Sequence, residues 1–75
     1  MLIVSQNKKT IILLENIKFI QMAEWSNTYY LSVYLENKEN VKIGEYFTEK
    51  RTKEILLDIA NAYGRGIKLY EMPEE

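Results

Sequence analysis

Residues 48–63 carry the 3.6-residue periodicity of an amphipathic helix. The inward-facing residues recur at steps of three and four and form one stripe, which consists of Thr52, Ile55, Leu56, Ile59, Ala62 and Tyr63. Thr48 is a credible N-cap, Glu49 is favourably placed in the first turn, and Gly64 lies where helices commonly end in a left-handed residue. The pattern predicts one helix over 48–63. No other stretch offers a cover for the remaining chain.

The rest of the sequence consists of short runs rich in Ile, Val, Leu, Tyr and Phe, separated by polar clusters. This pattern is typical of hairpin-connected strands. The predicted strands cover residues 2–5, 10–14, 17–25, 29–36, 41–47 and 67–72. We therefore expect an α+β fold, with an antiparallel sheet of about five or six short strands. The helix packs on one face, residues 67–72 form a short C-terminal strand, and residues 1–75 make a single domain.

Alternation along the strands predicts which side chains face the helix. The expected core consists of Val4, Ile12, Leu14, Ile20, Leu31, Val33, Ile43, Phe47, Ile55, Leu56, Ile59 and Tyr63. Residues 11–14 do not alternate, so their strand could be buried on both faces, and which parity points inward stays open. Glu45 interrupts the inward set of its strand. Gly44 beside it indicates a bulge or close packing, and a bulge would return Glu45 to water.

The chain contains no histidine and no cysteine. Their absence removes the commonest general base, the thiolate nucleophile and most ligands for transition metals. The carboxylates are scattered, and Gly64-Arg65-Gly66 lacks the pattern of a phosphate-binding loop. We expect no catalytic residues, no metal site and no cofactor, and a protein that is not an enzyme.

The charge of the chain is nearly balanced, at −1 from ten basic and eleven acidic residues. Such a balance gives no global field that attracts nucleic acid or an anionic membrane. No apolar run approaches the roughly 20 residues of a membrane span, and the first residues lack the layout of a signal peptide. Small secreted domains often carry disulfides, so the absence of cysteine favours the cytoplasm. We expect a cytoplasmic protein with no membrane partner.

Six tyrosines and one tryptophan are a heavy aromatic load for 75 residues. By alternation, Tyr30 and Tyr34 share the strand face that points away from the helix, and Tyr46 occupies the corresponding face of the next strand. With Trp25 they form the candidate interaction surface. Three interpretations stay open: cross-strand pairs that only stabilise the sheet, a surface that binds protein, and a platform on which nucleic-acid bases stack.

The first turn of the predicted helix carries a small basic group, Lys50, Arg51 and Lys53. Positive charge at this end opposes the helix dipole, so the group is a candidate anion contact. The alternative is a solvated face beside Glu49 and Glu54, in which Lys50 and Glu54 form an i,i+4 pair.

Several segments along the whole chain resemble a group of very small uncharacterised proteins of Gram-positive bacteria and of their phages and mobile elements. The resemblance is carried by the opening IVSQNKKTI, the following ENI, the joint IGEY-TE-R-KEIL-DI and the closing YEMPEE. Its anchors are Ser5-Gln6, Gly44-Glu45-Tyr46, Thr48-Glu49 and Met72-Pro73-Glu74. The group usually has Ala where this chain has Thr52. The resemblance implies a compact sheet-plus-helix unit of cytoplasmic or phage origin and assigns no catalytic or binding residue.

The favoured functional hypothesis is a small non-enzymatic protein-interaction module whose partner is a protein, either a second copy or a host protein. Residues 67–72 are either an added edge strand or free to pair with another chain. Homodimerisation through a sheet edge or the tyrosine face is therefore the leading concrete form. The alternative is a phage-type accessory protein that binds nucleic acid or has a regulatory role, with the basic turn and nearby tyrosines as its contacts.

Overall fold

The computed structural model describes residues 1–75 and contains six strands and one α-helix. In chain order the elements are β1 Leu2–Val4, β2 Ile11–Leu13, β3 Ile17–Trp25, β4 Thr28–Leu35, β5 Asn40–Tyr46, α1 Glu49–Gly64 and β6 Leu69–Glu71. One turn of 3-10 helix, Leu14–Asn16, joins β2 to β3. The predicted α+β class, six short strands, single helix and short C-terminal strand are confirmed.

The six strands divide into two sheets of three. In the large sheet, β3, β4 and β5 form an antiparallel meander in that order. In the small sheet, β1 lies between β2 and β6 and is antiparallel to β2 but parallel to β6. The small sheet therefore pairs residues from opposite ends of the sequence, and β6 is an added edge strand.

A two-residue turn fixes the register of the longest hairpin, between β3 and β4. Ser26 has a φ of 53° and Asn27 a φ of 63°. Two consecutive positive φ values are the requirement of a type I′ turn, whose twist matches that of the flanking strands. Trp25 and Thr28 consequently face each other as the closing pair of the hairpin.

Both sheets and the helix contribute to one hydrophobic core. α1 packs across all three strands of the large sheet, and the inner face of the small sheet joins the same cluster. The core residues are Ile3, Ile12, Leu31, Val33, Ile43, Tyr46, Ile55, Ile59, Tyr70 and Met72. Six of these were predicted from strand alternation and helix periodicity, and they are Ile12, Leu31, Val33, Ile43, Ile55 and Ile59. Three more predicted residues, Leu14, Ile20 and Leu56, are half-buried and pack against the core. The prediction for Val4 is wrong, because Ile3 takes the inward position of β1 and Val4 points to the opposite face.

A bulge in β5 overturns two of the predictions. Leu31 faces Gly44 across the hairpin while the next residue of β4, Ser32, faces Lys42, so Ile43 is the inserted residue. One extra residue reverses the in-and-out alternation beyond it. Tyr46 therefore points into the core and is only 3% exposed, whereas Phe47, predicted as core, is 87% exposed. As the bulge hypothesis required, Glu45 is returned to water.

The helix begins as predicted and ends at Gly64, one residue later than expected, and its left-handed residue comes two residues later than predicted. The Thr48 hydroxyl caps it by accepting the Arg51 N–H at 3.1 Å. At the other end Gly66, not Gly64, adopts the left-handed conformation, with a φ of 75°. The Gly66 N–H donates to the Tyr63 carbonyl and the Ile67 N–H to the Ala62 carbonyl, which is a Schellman motif.

Tyr63, predicted as core, is exposed and lies in an open groove between α1 and β3. The stripe continues through this last turn, but no strand covers the tyrosine there. The groove has a volume of about 600 Å³, and ten of the eleven residues that line it are hydrophobic.

α1 lacks the length and the apolar content that crossing a membrane requires.

Gln6 fastens the turn after β1 to the edge of the large sheet. Its backbone N–H donates to the Ile43 carbonyl at 2.8 Å. Its side-chain amide accepts the Glu45 N–H at 2.8 Å and donates to the Glu45 carbonyl at 3.0 Å and the Glu74 carbonyl at 2.8 Å. The Gln6 side chain thus makes the backbone hydrogen bonds that a neighbouring strand would make to Glu45. It also binds the C-terminal segment through the Glu74 carbonyl.

Candidate functional site

The outer face of the large sheet, opposite α1, carries an aromatic cluster with no helix or strand packed on it. We call this surface the aromatic face and define it by Phe19, Trp25, Tyr30, Tyr34 and Lys42. The rings come from β3 and β4, and the lysine comes from β5. Alternation in β4 places the two tyrosines on this side while Leu31 and Val33 enter the core, as predicted.

Phe19 and Tyr34 form a stacked pair in the aromatic face. They are paired in register across the hairpin, their ring centroids are 4.5 Å apart, and their planes make an angle of 17°. Both rings stay in part accessible to solvent. Phe19 was not among the predicted surface residues, although it has the same strand parity as Trp25, because the prediction was based on tyrosine and tryptophan alone.

Tyr30 lies beside the charged part of the aromatic face. The Lys42 ammonium is 4.8 Å from the centroid of the Tyr30 ring, in a cation–π geometry. The same ammonium lies 3.0 Å from a carboxylate oxygen of Glu45, the residue that the bulge turns outward. The lysine is therefore already paired within the chain. The aromatic face presents a locally balanced charge to a partner.

Trp25 ends β3 at the corner of the aromatic face and is 74% exposed. It is two residues along the strand from Ala23, which is opposite Tyr30 in the register. It stacks on no other ring. A tryptophan in this position presents most of its apolar area to solvent.

Tyr46, the fourth residue of the predicted surface, is not part of the aromatic face. Its ring lies in the core, and its hydroxyl donates to the Pro73 carbonyl at 2.7 Å. Burial raises the pKa of Tyr46 to about 12, against a slight opposite influence of the Arg51 guanidinium. Tyr46 therefore closes the C-terminal segment over the core, and this is a structural role.

Two of the three basic side chains in the first turn of α1 form ion pairs within the chain. Lys53 pairs with Glu49 at 3.4 Å and Arg51 with Glu54 at 3.6 Å. Arg51 also donates through Nε to the Glu75 carbonyl at 3.0 Å. The expected pair of Lys50 with Glu54 does not form, because Arg51 takes this carboxylate instead. Of the three cations, Lys50 alone makes no ion pair.

The remaining polar side chains show no convergent reactive group. Every fully buried polar side-chain atom has a hydrogen-bond partner, and no three acidic residues are placed to hold a metal ion. Tyr70 is the other buried phenol, and its hydroxyl donates to Asp58 at 2.8 Å. Burial, followed by this hydrogen bond and the Asp58 charge, raises the pKa of Tyr70 strongly. The Asp58 bond joins β6 to α1.

The predicted surface thus splits into two parts in the structure. Trp25, Tyr30 and Tyr34 come together with Phe19 on one open sheet face, while Tyr46 lies inside. Lys50, Arg51 and Lys53 remain together in the first turn of α1. Comparisons of the chain with protein-family models, with curated proteins and with solved structures find no match.

Proposed function

We propose that this chain is a small non-enzymatic protein-interaction module that binds a partner protein through the aromatic face. The observation that carries the proposal is a group of four aromatic rings on a sheet face that no other element covers. Aromatic residues are enriched in protein interfaces, where they contribute large apolar area, and tyrosine adds a polar tip. We place this function in the cytoplasm, in keeping with the absence of cysteine.

Three of the four rings of the aromatic face contact a neighbouring side chain before any partner binds. Tyr34 is stacked on Phe19, and Tyr30 lies under the ammonium of Lys42. Binding to side chains that are already ordered loses little conformational entropy, which favours affinity. The partner that fits is a protein surface of near-neutral charge that presents apolar anchors among hydrogen-bonding groups.

Stabilisation of the sheet is the competing explanation for these rings, and it accounts for some of them only. The stacked pair of Phe19 and Tyr34 does contribute to the hairpin. Trp25 makes no such pair and exposes most of its surface. An exposed tryptophan on the same sheet face as two tyrosines is better explained by a partner than by the stability of the isolated chain.

The charges of the chain give weaker support to the alternative that it binds nucleic acid. Lys42, Arg51 and Lys53 are paired with carboxylates, and the chain as a whole carries a charge of −1. Nucleic-acid affinity depends mainly on cations that are free to neutralise phosphates. We keep this alternative as an outcome of the test below.

The proposal can be tested with matched variants as affinity baits in a lysate of the organism that encodes the chain. The test variant is Trp25→Ser/Tyr34→Ser, and the control is Leu57→Ser, which removes an apolar side chain of α1 that is 65% exposed. A captured protein that the test variant loses and the control retains is then purified. It is titrated into the ¹⁵N-labelled chain while amide chemical shifts are followed.

We expect shift changes in β3 and β4 and an affinity at least about tenfold weaker for the test variant. If the shifts map to α1 or the small sheet, or if no captured protein distinguishes the baits, the proposal is wrong. A gel shift at low salt forms the second arm. If it shows oligonucleotide binding that Lys50→Glu/Lys53→Glu abolishes, the nucleic-acid alternative replaces the proposal.

A further inference from the structure

The small sheet has aliphatic side chains on both of its faces, and the chain covers only one of them. Ile3, Ile12 and Tyr70 point into the core. The neighbouring residues in each strand point outward, and we call them the aliphatic face: Leu2, Val4, Ile11, Leu13 and Leu69. The unbroken apolar run of residues 11–14 left burial on both faces open. Within one copy the face that carries Ile12 is buried, and the face that carries Ile11 and Leu13 is exposed.

The register of the small sheet arranges the aliphatic face in two rows. Leu2 on the central strand is opposite Leu13 on one side and Leu69 on the other. Val4 is opposite Ile11 and Glu71 in the same way. The face is thus continuous across three strands, and Glu71 places a single charge at its corner. Exposed apolar patches of roughly 300–600 Å² on a small protein commonly serve an interaction.

We propose that the aliphatic face packs against the same face of a second copy of the chain and forms a two-fold symmetric dimer. The first argument is chemical. The aromatic face carries hydroxyl groups and an ammonium, whereas the aliphatic face offers hydrocarbon alone, with Ile11 as much as 62% exposed. Long-lived interfaces between identical chains are the more apolar class and resemble a core cut in half. Two packed sheets recreate such a core.

The second argument is the charge around the aliphatic face. Lys8, Lys9, Lys68 and Glu71 border it, all are exposed, and none forms an ion pair within the chain. A border with both signs is complementary to itself under two-fold symmetry. A two-fold axis that runs across the strands lays the two copies of β6 in opposite directions. Glu71 of each copy then approaches Lys68 of the other.

The third argument is the available area. A stable interface buries about 800 Å² on each partner, which is roughly 15% of the 5370 Å² that this chain exposes. In the proposed dimer the aliphatic face forms the centre of this contact and its charged border forms the polar rim. The contact lies on a different sheet from the aromatic face. It therefore does not depend on the proposed function, and it leaves two copies of the aromatic face free.

The test is the mass in solution, measured by sedimentation equilibrium over about 5–200 µM with far-UV circular dichroism as a check on folding. We expect wild type at twice the 8.9 kDa chain mass. Ile11→Thr/Leu13→Thr places β-branched threonine, which favours a strand, at both positions and should raise the dissociation constant at least about tenfold. Leu57→Thr, the matched loss of an exposed leucine on α1, should leave it unchanged.

Reversal of charge separates a contact between copies from a general loss of stability. Lys68→Glu alone and Glu71→Lys alone should each weaken the dimer, and the double variant Lys68→Glu/Glu71→Lys should restore it. The inference is wrong if wild type is a monomer throughout the range, or if the threonine variant dimerises as well as wild type. A dimer that is lost through Trp25→Ser/Tyr34→Ser, and not through the threonine variant, would assign self-association to the aromatic face instead.

Discussion

The lack of a side chain at Gly44 permits the bulged pairing of β5 with β4. A methyl group at this position would lie 2.7 Å from Cε2 of Tyr46, 2.9 Å from its hydroxyl and 3.0 Å from the terminal carbon of Met72. The ring of Tyr46 occupies this space because the bulge at Ile43 turns it inward. Gly44 therefore permits both the bulge and the burial of a tyrosine that alternation places outside.

Gly44→Ala tests this dependence directly. The Tyr46 ring cannot move away freely, since its hydroxyl is bonded to Pro73 and its ring is enclosed by the core. We expect a loss of about 1–3 kcal/mol in the free energy of unfolding, measured by urea denaturation.

Gly64→Ala is the matched control for that measurement. No atom lies within 4 Å of its added methyl group, and Gly64 is inside the last turn of α1. The free energy of unfolding should rise by about 0.5–1 kcal/mol, because alanine favours the helix. Equal effects of the two substitutions would contradict the account of the bulge.

The aromatic face shows what alternation can and cannot predict at single residues. Tyr30 and Tyr34 were placed correctly, because β4 runs without interruption between its turns. Tyr46 and Phe47 were exchanged, since alternation holds only up to an inserted residue and the hydrophobic pattern does not say where the insertion lies. The charge of Glu45 among inward positions did mark the region, and it was the one available sign of the bulge.

Among the elements, β5 depends on a side chain from outside its own sheet. The Glu45 N–H at the bulge is bonded to the Gln6 side chain, which also binds two carbonyl groups. The stretches 5–6, 44–46 and 72–74 are brought together here by Gln6, Tyr46 and Pro73. In this chain their contacts hold the two sheets and the C-terminal segment together.

Gln6→Ala should therefore loosen the edge of β5 more than it affects the helix. Removal of the amide leaves the Glu45 N–H to water, and we expect its hydrogen exchange to accelerate at least about tenfold. The free energy of unfolding should fall by about 1 kcal/mol. Amide exchange followed by NMR checks both β5 and α1. An unchanged Glu45 rate, or equal acceleration within α1, would contradict this role.

At the scale of elements, local patterns identified the helix and all six strands. The Thr48 cap and the apolar stripe fixed α1 to within one residue at each end. The division of the strands into two sheets was beyond prediction, because the pairing of β1 with β6 joins residues more than sixty positions apart. Periodicity within a strand carries no information about its distant neighbour.

Across the whole molecule, two buried phenol groups make the stability of the fold sensitive to alkaline pH. Tyr46 bonds the C-terminal segment and Tyr70 bonds α1, and burial raises the pKa of both above the ordinary value of 10.0. The unfolded chain releases these protons near pH 10, whereas the folded chain retains them to about pH 12 for Tyr46. Their contribution to stability is thus complete below pH 10 and is lost as pH rises through the folded pKa.

We expect the free energy of unfolding to fall by roughly 1–3 kcal/mol between about pH 9 and about pH 11.5 on account of these groups. Tyr46→Phe should lower stability at neutral pH but reduce the decline. Urea denaturation at the two pH values measures the difference. Tyr63→Phe, at an exposed tyrosine without a hydrogen bond, is the control and should decline as wild type does. An identical decline in Tyr46→Phe would contradict the assignment.

The parallel pairing of β1 with β6 also sets an order of events during synthesis. The Leu2 N–H donates to the Lys68 carbonyl and the Val4 carbonyl accepts from the Met72 N–H, so the partner of β1 is translated more than sixty residues after β1 itself. While a ribosome still shields residues 69–72, the nascent chain can form the β3–β5 meander but leaves Ile3 and Ile12 without their cover. The core is therefore completed only after residues 69–72 leave the ribosome, and until then the exposed β1–β2 hairpin is the stretch most in need of a chaperone.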